Sequence, residues 1–267
     1  MAYFEGVFNS EVMSMDTNIC AVIPDQSIRT GEKARVLYLL HGYGGNAFSW
    51  MRFSNIEQLA AKYQIAVIMP EVGYSYYQDM ALGKRYFTYL TQELPRYMAN
   101  LFPISTKRED NFVIGNSMGG YGALKCVLAC PERYAAGAGL GAVADIHWAL
   151  DPVLFNFDPQ TGAYAGYEER LCEASAIYGK EPKIQTEQDL YALGESASKS
   201  AYRPKVISIC GKQDKMFSEN EKLANHLEKL PMDFTFLAIE GAHDGDCFQK
   251  GLELALELML EQSEKQE

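Results

Sequence analysis

The chain has 267 residues, 48% of them hydrophobic and 22% charged, which is enough apolar material for one large α/β core and too much for a disordered chain. Its formal net charge of −11 repels phosphate backbones and anionic lipid, so nucleic-acid binding and membrane-surface binding are disfavoured. Six cysteines, Cys20, Cys126, Cys130, Cys172, Cys210 and Cys247, sit at scattered spacings and do not make the disulfide framework of a small secreted domain. The opening Met1-Ala2-Tyr3-Phe4-Glu5 has no basic stretch ahead of an apolar run, and the longest apolar runs are strand-sized. Neither a secretory leader nor a membrane-spanning helix is expected, and the expected compartment is the cytoplasm.

Short β-rich runs alternate with longer amphipathic stretches, the pattern of a mostly parallel sheet covered by helices. Residues 3–8 and 18–23 read as two opening strands that pair as an antiparallel edge. Residues 36–40 are apolar throughout, as in a strand buried on both faces. A helix over 54–63 puts Ile56, Leu59 and Ala60 on one side, and 65–70 is the next strand. A loop rich in Tyr and Gly covers 73–83, then a helix over 84–102 is interrupted at Pro95, which lacks the N–H a helix interior needs. A strand at 111–115 leads into a helix at 118–129, and 134–142 is a strand of small residues. Strands at 206–210 and 234–239 flank a helix over 218–230, with Ser218 as N-cap and Glu221 as its capping-box partner. A closing helix over 247–260 carries Leu252, Leu256 and Met259 along one face. Between 144 and 203 the alternation stops; this stretch holds Trp148, Phe155, Phe157, Tyr164, Tyr167 and Tyr178 and is too small for a core of its own. The expected organisation is one α/β domain over 1–267 built on about eight strands, with 144–203 as a lid-like insertion between strands 6 and 7.

Gly115-Asn116-Ser117-Met118-Gly119 follows the apolar strand and opens a helix. A strand–turn–helix of this kind lifts a serine hydroxyl above the sheet, and only glycines let so tight a turn pack. Ser117 is therefore the candidate nucleophile. The turn His41-Gly42-Tyr43-Gly44-Gly45 follows the most apolar strand and can aim amides at the same point. The Tyr43 and Met118 N–H groups are the expected oxyanion donors. Four histidines are available as base. His243 lies in the loop after the final strand, at the carboxyl end where open α/β sheets place their sites. Asp214, after the preceding strand, is the expected orienting acid, with Asp244 and Asp246 as competitors. The chain order Ser117, Asp214, His243 is that of nucleophile-elbow hydrolases.

Taken together, Leu39 to Asn46, Glu93-Leu94-Pro95, Ser117 to Leu124, Cys210 to Asp214 and Gly241-Ala242-His243 resemble the esterase D-like branch of the α/β-hydrolases. That branch includes tributyrin-type carboxylesterases, feruloyl esterases and S-formylglutathione hydrolases, and the resemblance runs from about residue 3 to 260. It implies the α/β-hydrolase fold and a serine esterase with no cofactor and no metal. His-Gly-Tyr-Gly-Gly in the oxyanion segment and Tyr121 after the elbow point to the tributyrin type rather than to S-formylglutathione hydrolases. Asp244-Gly245-Asp246 departs from the aromatic residues that commonly follow the catalytic histidine in the branch, which bears on the pocket wall there.

The expected activity is hydrolysis of small short-chain or aryl esters through an acyl-enzyme on Ser117. A thioesterase of the S-formylglutathione type and an acyltransferase on the same triad are the alternatives, and a non-catalytic binding module is a further one. Gly42, Trp50, Tyr76, Asp79 and Trp148 are candidate substrate contacts. The expected partner is a small-molecule ester, with no nucleic acid and no membrane, and a homo-oligomer is left open. The dinucleotide-like Gly137-Ala138-Gly139-Leu140-Gly141-Ala142 reads as tight strand packing, and Cys126 with Cys130 reads as small core residues.

Overall fold

A computed structural model describes residues 1–147, 167–180 and 184–260. Eight strands form one sheet in the order β1-β2-β4-β3-β5-β6-β7-β8. β1 (Ala2–Ser10) and β2 (Met15–Ile23) form an antiparallel hairpin, and β2 joins β4 (Ala66–Pro70) antiparallel. From β4 onward, β3 (Val36–Leu40), β5 (Asn111–Asn116), β6 (Ala136–Leu140), β7 (Lys205–Gly211) and β8 (Asp233–Ile239) run parallel. The eight strands and their mixed direction are as the sequence pattern predicts.

The continuous apolar run of β3 is split by the period of two. Leu37 and Leu39 face one buried cluster with Trp50, Leu59, Leu252 and Leu256, while Tyr38 and Leu40 face the other with Leu124 and Val127. Both layers of helices are needed, which is why the strand reads as apolar throughout. Helix α1 (Met118–Ala129) is buried from Met118 to Leu128, as a helix at the centre of a layer must be. Its close seat explains the small residues of β6. A Cβ on Gly137 would lie 2.7 Å from Val127 Cβ, and one on Gly139 would lie 2.9 Å from Leu124 Cδ1. The dinucleotide-like glycines are thus packing positions.

The helix foreseen over 54–63 runs from Ile56 to Tyr63, and a separate short helix, Ser49–Phe53, precedes it. The interruption foreseen at Pro95 is a turn of π-helix over Tyr89–Glu93 that passes into an α-helix over Leu94–Leu101, with Pro95 in its first turn. There its missing N–H costs nothing. Glu93, at this junction, is buried and reaches back to the β1–β2 hairpin. Its Oε1 accepts from the amides of Glu11 (2.7 Å) and Val12 (3.3 Å), and the Ser10 hydroxyl donates to Oε2. The Glu-Leu-Pro motif is therefore an anchor for the edge hairpin. Glu93→Ala leaves those donors without an acceptor and should lower unfolding stability by roughly 3 kcal/mol, read by denaturant titration.

Helix α2 (Phe217–Leu227) begins one residue before Ser218, with Met216 as its N-cap residue and no side-chain cap. Ser218 is thus not the N-cap expected of it. The turn entering the helix is held instead by Asp214, whose Oδ1 accepts from the Met216 amide at 2.8 Å and whose carbonyl accepts from Phe217 at 3.0 Å. Between β6 and β7 lie helices Tyr167–Tyr178 and Leu190–Ala197, the latter packed on α1. The chain closes with α3 (Gly245–Leu260). Among the described residues no helix is long and apolar enough to cross a membrane. All six cysteines are free thiols.

Candidate active site

Ser117 sits between β5 and α1 at φ 56° and ψ −118°, a region that costs a non-glycine residue on the order of 1–3 kcal/mol. Its surroundings over-determine it. The Ser117 amide donates to Leu140 O (2.8 Å), and its carbonyl accepts from Tyr121 (3.1 Å) and Val143 (3.2 Å). The turn closes only on glycine: a Cβ on Gly115 would lie 2.2 Å from Gly119 O, and one on Gly119 would lie 2.4 Å from Leu40 O. The strained turn that the five-residue motif requires is present.

Loops from three strand ends converge on this serine. His243, in the loop after β8, has Nε2 3.0 Å from Ser117 Oγ and Nδ1 2.7 Å from Asp214 Oδ2. A carboxylate only accepts, so Nδ1 carries the proton and the Nε2 lone pair faces the hydroxyl. Asp214 is buried after β7, and its second oxygen is held by the Met216 amide. Phe248 of α3 meets the imidazole edge-on at 5.0 Å between ring centres. The competitors lie elsewhere. Asp244 Oδ1 accepts from the Cys247 amide at 3.0 Å and so caps α3, while Asp246 is exposed in the first turn. The unusual Asp244-Gly245-Asp246 is a helix start, with acid placed favourably against the helix dipole.

The turn expected to supply the oxyanion donors lies against Ser117, since a Cβ on Gly42 would be 3.4 Å from Ser117 Cβ. His41 orients the turn. Its Nδ1–H donates to Gly42 O (2.9 Å), and its Nε2 accepts from the Val72 amide (3.2 Å). These two bonds define the neutral tautomer, and burial pulls the His41 pKa down, favouring the same form. Gly42 C=O and Tyr43 N–H belong to one peptide plane, so the imidazole sets the direction of the Tyr43 amide. Met118 N–H, at the start of α1, has no intrahelical acceptor and gains from the positive end of the helix. Glu71 ties the neighbouring loops together, accepting from Ala47 (3.1 Å) and Gly73 (3.0 Å).

The candidate substrate contacts divide. Gly42 is at the site. Tyr76 is buried beside it, its ring 6.3 Å from that of Tyr43. Trp50 is not a pocket residue. It is 1% exposed, lies in the cluster on the far face of β3, and donates from Nε1 to Leu40 O at 2.9 Å; an indole that large is worth more as core than as lining. Asp79 is also occupied structurally, accepting from the Thr88 amide (2.9 Å) and hydroxyl (2.6 Å) at a helix start. Trp148 lies outside the described residues. The Tyr43 hydroxyl donates to Glu173 at 2.7 Å, joining the oxyanion turn to the helix between β6 and β7. A separate cavity of about 440 Å³, lined by Arg96, Arg108 and Arg133, opens beside Asn111 at the amino end of β5, away from this site. Among the described residues no group of three or more His, Cys, Asp and Glu side chains forms a metal cluster.

The family model described as "Putative esterase" matches residues 10–241. The chain belongs to the esterase family. Like the relatives it resembles over its whole length, this esterase is an enzyme, a serine hydrolase of the carboxylic ester class. It is 29% identical to an acetyl esterase of Caldicellulosiruptor saccharolyticus, over 97% of this chain and 98% of that one. Two Staphylococcus aureus structures, fluorophosphonate-binding serine hydrolase F and the S-formylglutathione hydrolase FrmB, are each 30% identical over 97% of this chain and 98% of theirs, with TM-scores of 0.84 and 0.83.

Two site residues of the esterase carry no sequence signal of their own. His41 reads as part of a turn motif, and its orienting contact to Gly42 O appears only in the folded turn. Gly141, at φ +50°, lies under the acid and base: a Cβ there would be 2.7 Å from Asp214 Oδ2 and 3.3 Å from His243 Nδ1. Gly141→Ala is expected to push the two apart and lower kcat roughly 100-fold while leaving a folded protein, which kinetics and a thermal melt together would check.

Proposed function

We propose that this esterase hydrolyses small esters, with short acyl or aryl groups, through an acyl-enzyme on Ser117. The observation that carries the reading is the hydrogen-bonded line Asp214–His243–Ser117, with links of 2.7 and 3.0 Å. His243 takes the Ser117 proton as Oγ attacks the carbonyl, and Asp214 stabilises the imidazolium that results. The oxyanion is received by the Tyr43 and Met118 amides. His243 then hands its proton to the leaving alcohol, and in the second half-reaction it activates water, which releases the acid. The proton that His243 takes from water passes to Ser117 Oγ as the acyl–oxygen bond breaks, so the line ends as protonated as it began.

The likeness to FrmB over nearly the whole chain supports thioester hydrolysis as a second reading, with the same residues in the same roles. The likeness to an acetyl esterase over the same span supports the first. The connection between β6 and β7 acts as a lid on the acyl pocket in this reading, and the compartment is the cytoplasm. A fluorophosphonate probe should label the protein at Ser117, located by peptide mass spectrometry. Label on another residue, or none, would sink the reading. Comparing p-nitrophenyl acetate, a feruloyl ester and S-formylglutathione then ranks the substrates, and a thioester preferred over both oxygen esters would favour the second reading.

A further inference from the structure

Lys125 is buried in the middle of α1, two turns beyond the nucleophile, where an ammonium is unusual. It donates to Tyr77 O at 3.3 Å and to Gln78 Oε1, and it lies 4.2 Å over the Phe87 ring. Among the described residues no carboxylate is in ion-pair contact with it. Asp79 from the same loop and Glu187 from the turn at Thr186–Gln188 act on it only at a distance, along with Cys126 and Cys130 of its own helix, and burial lowers its pKa to about 8. A buried cation without a paired acid costs stability, so its contacts are the reason to look for a role.

Those contacts meet a strained loop, the one place among the described residues where two consecutive non-glycine residues take positive φ. Tyr76 and Tyr77 take consecutive positive φ values of 49° and 54°, a conformation bulky residues hold only where their surroundings impose it. The Tyr77 ring lies on Gly122, where a Cβ would be 2.5 Å from it, and the Tyr77 carbonyl accepts a hydrogen bond from Lys125 one turn further along the same helix. Gln78 passes the tie onward, donating to the Tyr121 hydroxyl, which donates to Gln188 O at 2.6 Å. The Tyr77 hydroxyl donates to His41 O at 2.8 Å, and His41 C=O shares a peptide plane with Gly42 N–H.

We infer that Lys125 is a positioning residue for the oxyanion turn: by holding the left-handed Tyr76–Tyr77 step it keeps the Tyr77 hydroxyl on the His41 carbonyl, and so fixes the turn that presents the Tyr43 amide to the reacting carbonyl. The inference rests on the proposed role of that amide. The link joins backbone and side-chain groups of the enzyme itself, so it should bear on the transition state through geometry rather than on substrate affinity.

The test is kinetic, on p-nitrophenyl acetate, with Lys125→Met, Tyr77→Phe and the double variant, each shown to be folded by circular dichroism and a thermal melt. Both single variants should lose kcat by roughly tenfold with KM within about twofold. The double variant should be no slower than the slower single, because both changes cut one chain of contacts. A folded Lys125→Met with wild-type kcat overturns the inference, as do losses that multiply in the double variant. If Lys125→Met does not fold, Tyr77→Phe decides: it removes one hydroxyl, and a wild-type kcat for it overturns the inference. Fluorophosphonate labelling of Ser117 in the wild type separates this outcome from failure of the triad itself.

Discussion

Ser117→Ala should lower kcat by about 10⁶-fold, and His243→Ala, alone or added to it, by about the same amount. The reason is that the two side chains act as one unit. With the hydroxyl gone, the imidazole 3.0 Å away has no proton to take; with the imidazole gone, the hydroxyl remains a weak nucleophile. The losses therefore do not multiply. A residual rate above the uncatalysed reaction, about 10³-fold, should survive from the oxyanion amides and from substrate positioning. KM should change little in either variant, because neither group contributes much to ground-state binding. Steady-state kinetics on a single aryl ester checks all of this. A double variant that is far slower than either single would show that Ser117 and His243 do not work together.

The second large effect is at Asp214. Asp214→Asn should lower kcat by about 10⁴-fold with the fold intact. A carboxylate can only accept from His243 Nδ1, and that contact of 2.7 Å fixes the tautomer whose Nε2 can receive the Ser117 proton. An amide in its place can offer an N–H to Nδ1, which stabilises the tautomer with the proton on Nε2 and leaves the serine without a base. Asp244→Ala is the matching control. Its carboxylate caps α3 through the Cys247 amide, so its loss should cost about 1 kcal/mol of stability and leave kcat within severalfold of wild type. If the two variants exchanged these phenotypes, the acid of the site would be Asp244.

Much of this was legible in the chain alone because the signals are local. A strand buried on both faces must be apolar throughout, and residues 36–40 are. A nucleophile elbow needs small neighbours within two positions of the serine, and Gly115 and Gly119 supply them. The chain order of serine, acid and base follows from the order of the strands. The errors have a common physical source. Trp50 and Asp79 are residue types that suit a pocket, but their polar atoms were taken up by Leu40 O and by Thr88. Ser218 has the chemistry of a cap, yet Asp214 organises that turn from four residues before it. Residue type shows what a side chain can bind, not which neighbour reaches it first.

The sequence by itself determined the class of fold and singled out Ser117 at its strand–helix turn with a short set of residues that could serve it, because periodicity and turn chemistry act over a few residues. Only the tertiary structure decided which carboxylate meets His243, why a side chain on Gly141 would collide with that pair, and which carbonyl groups His41 and Lys125 reach. Those are contacts between loops up to 126 positions apart, as Ser117 and His243 are. Their distances are set by the packing of helices on a sheet, where a few tenths of an ångström separate a hydrogen bond from a clash.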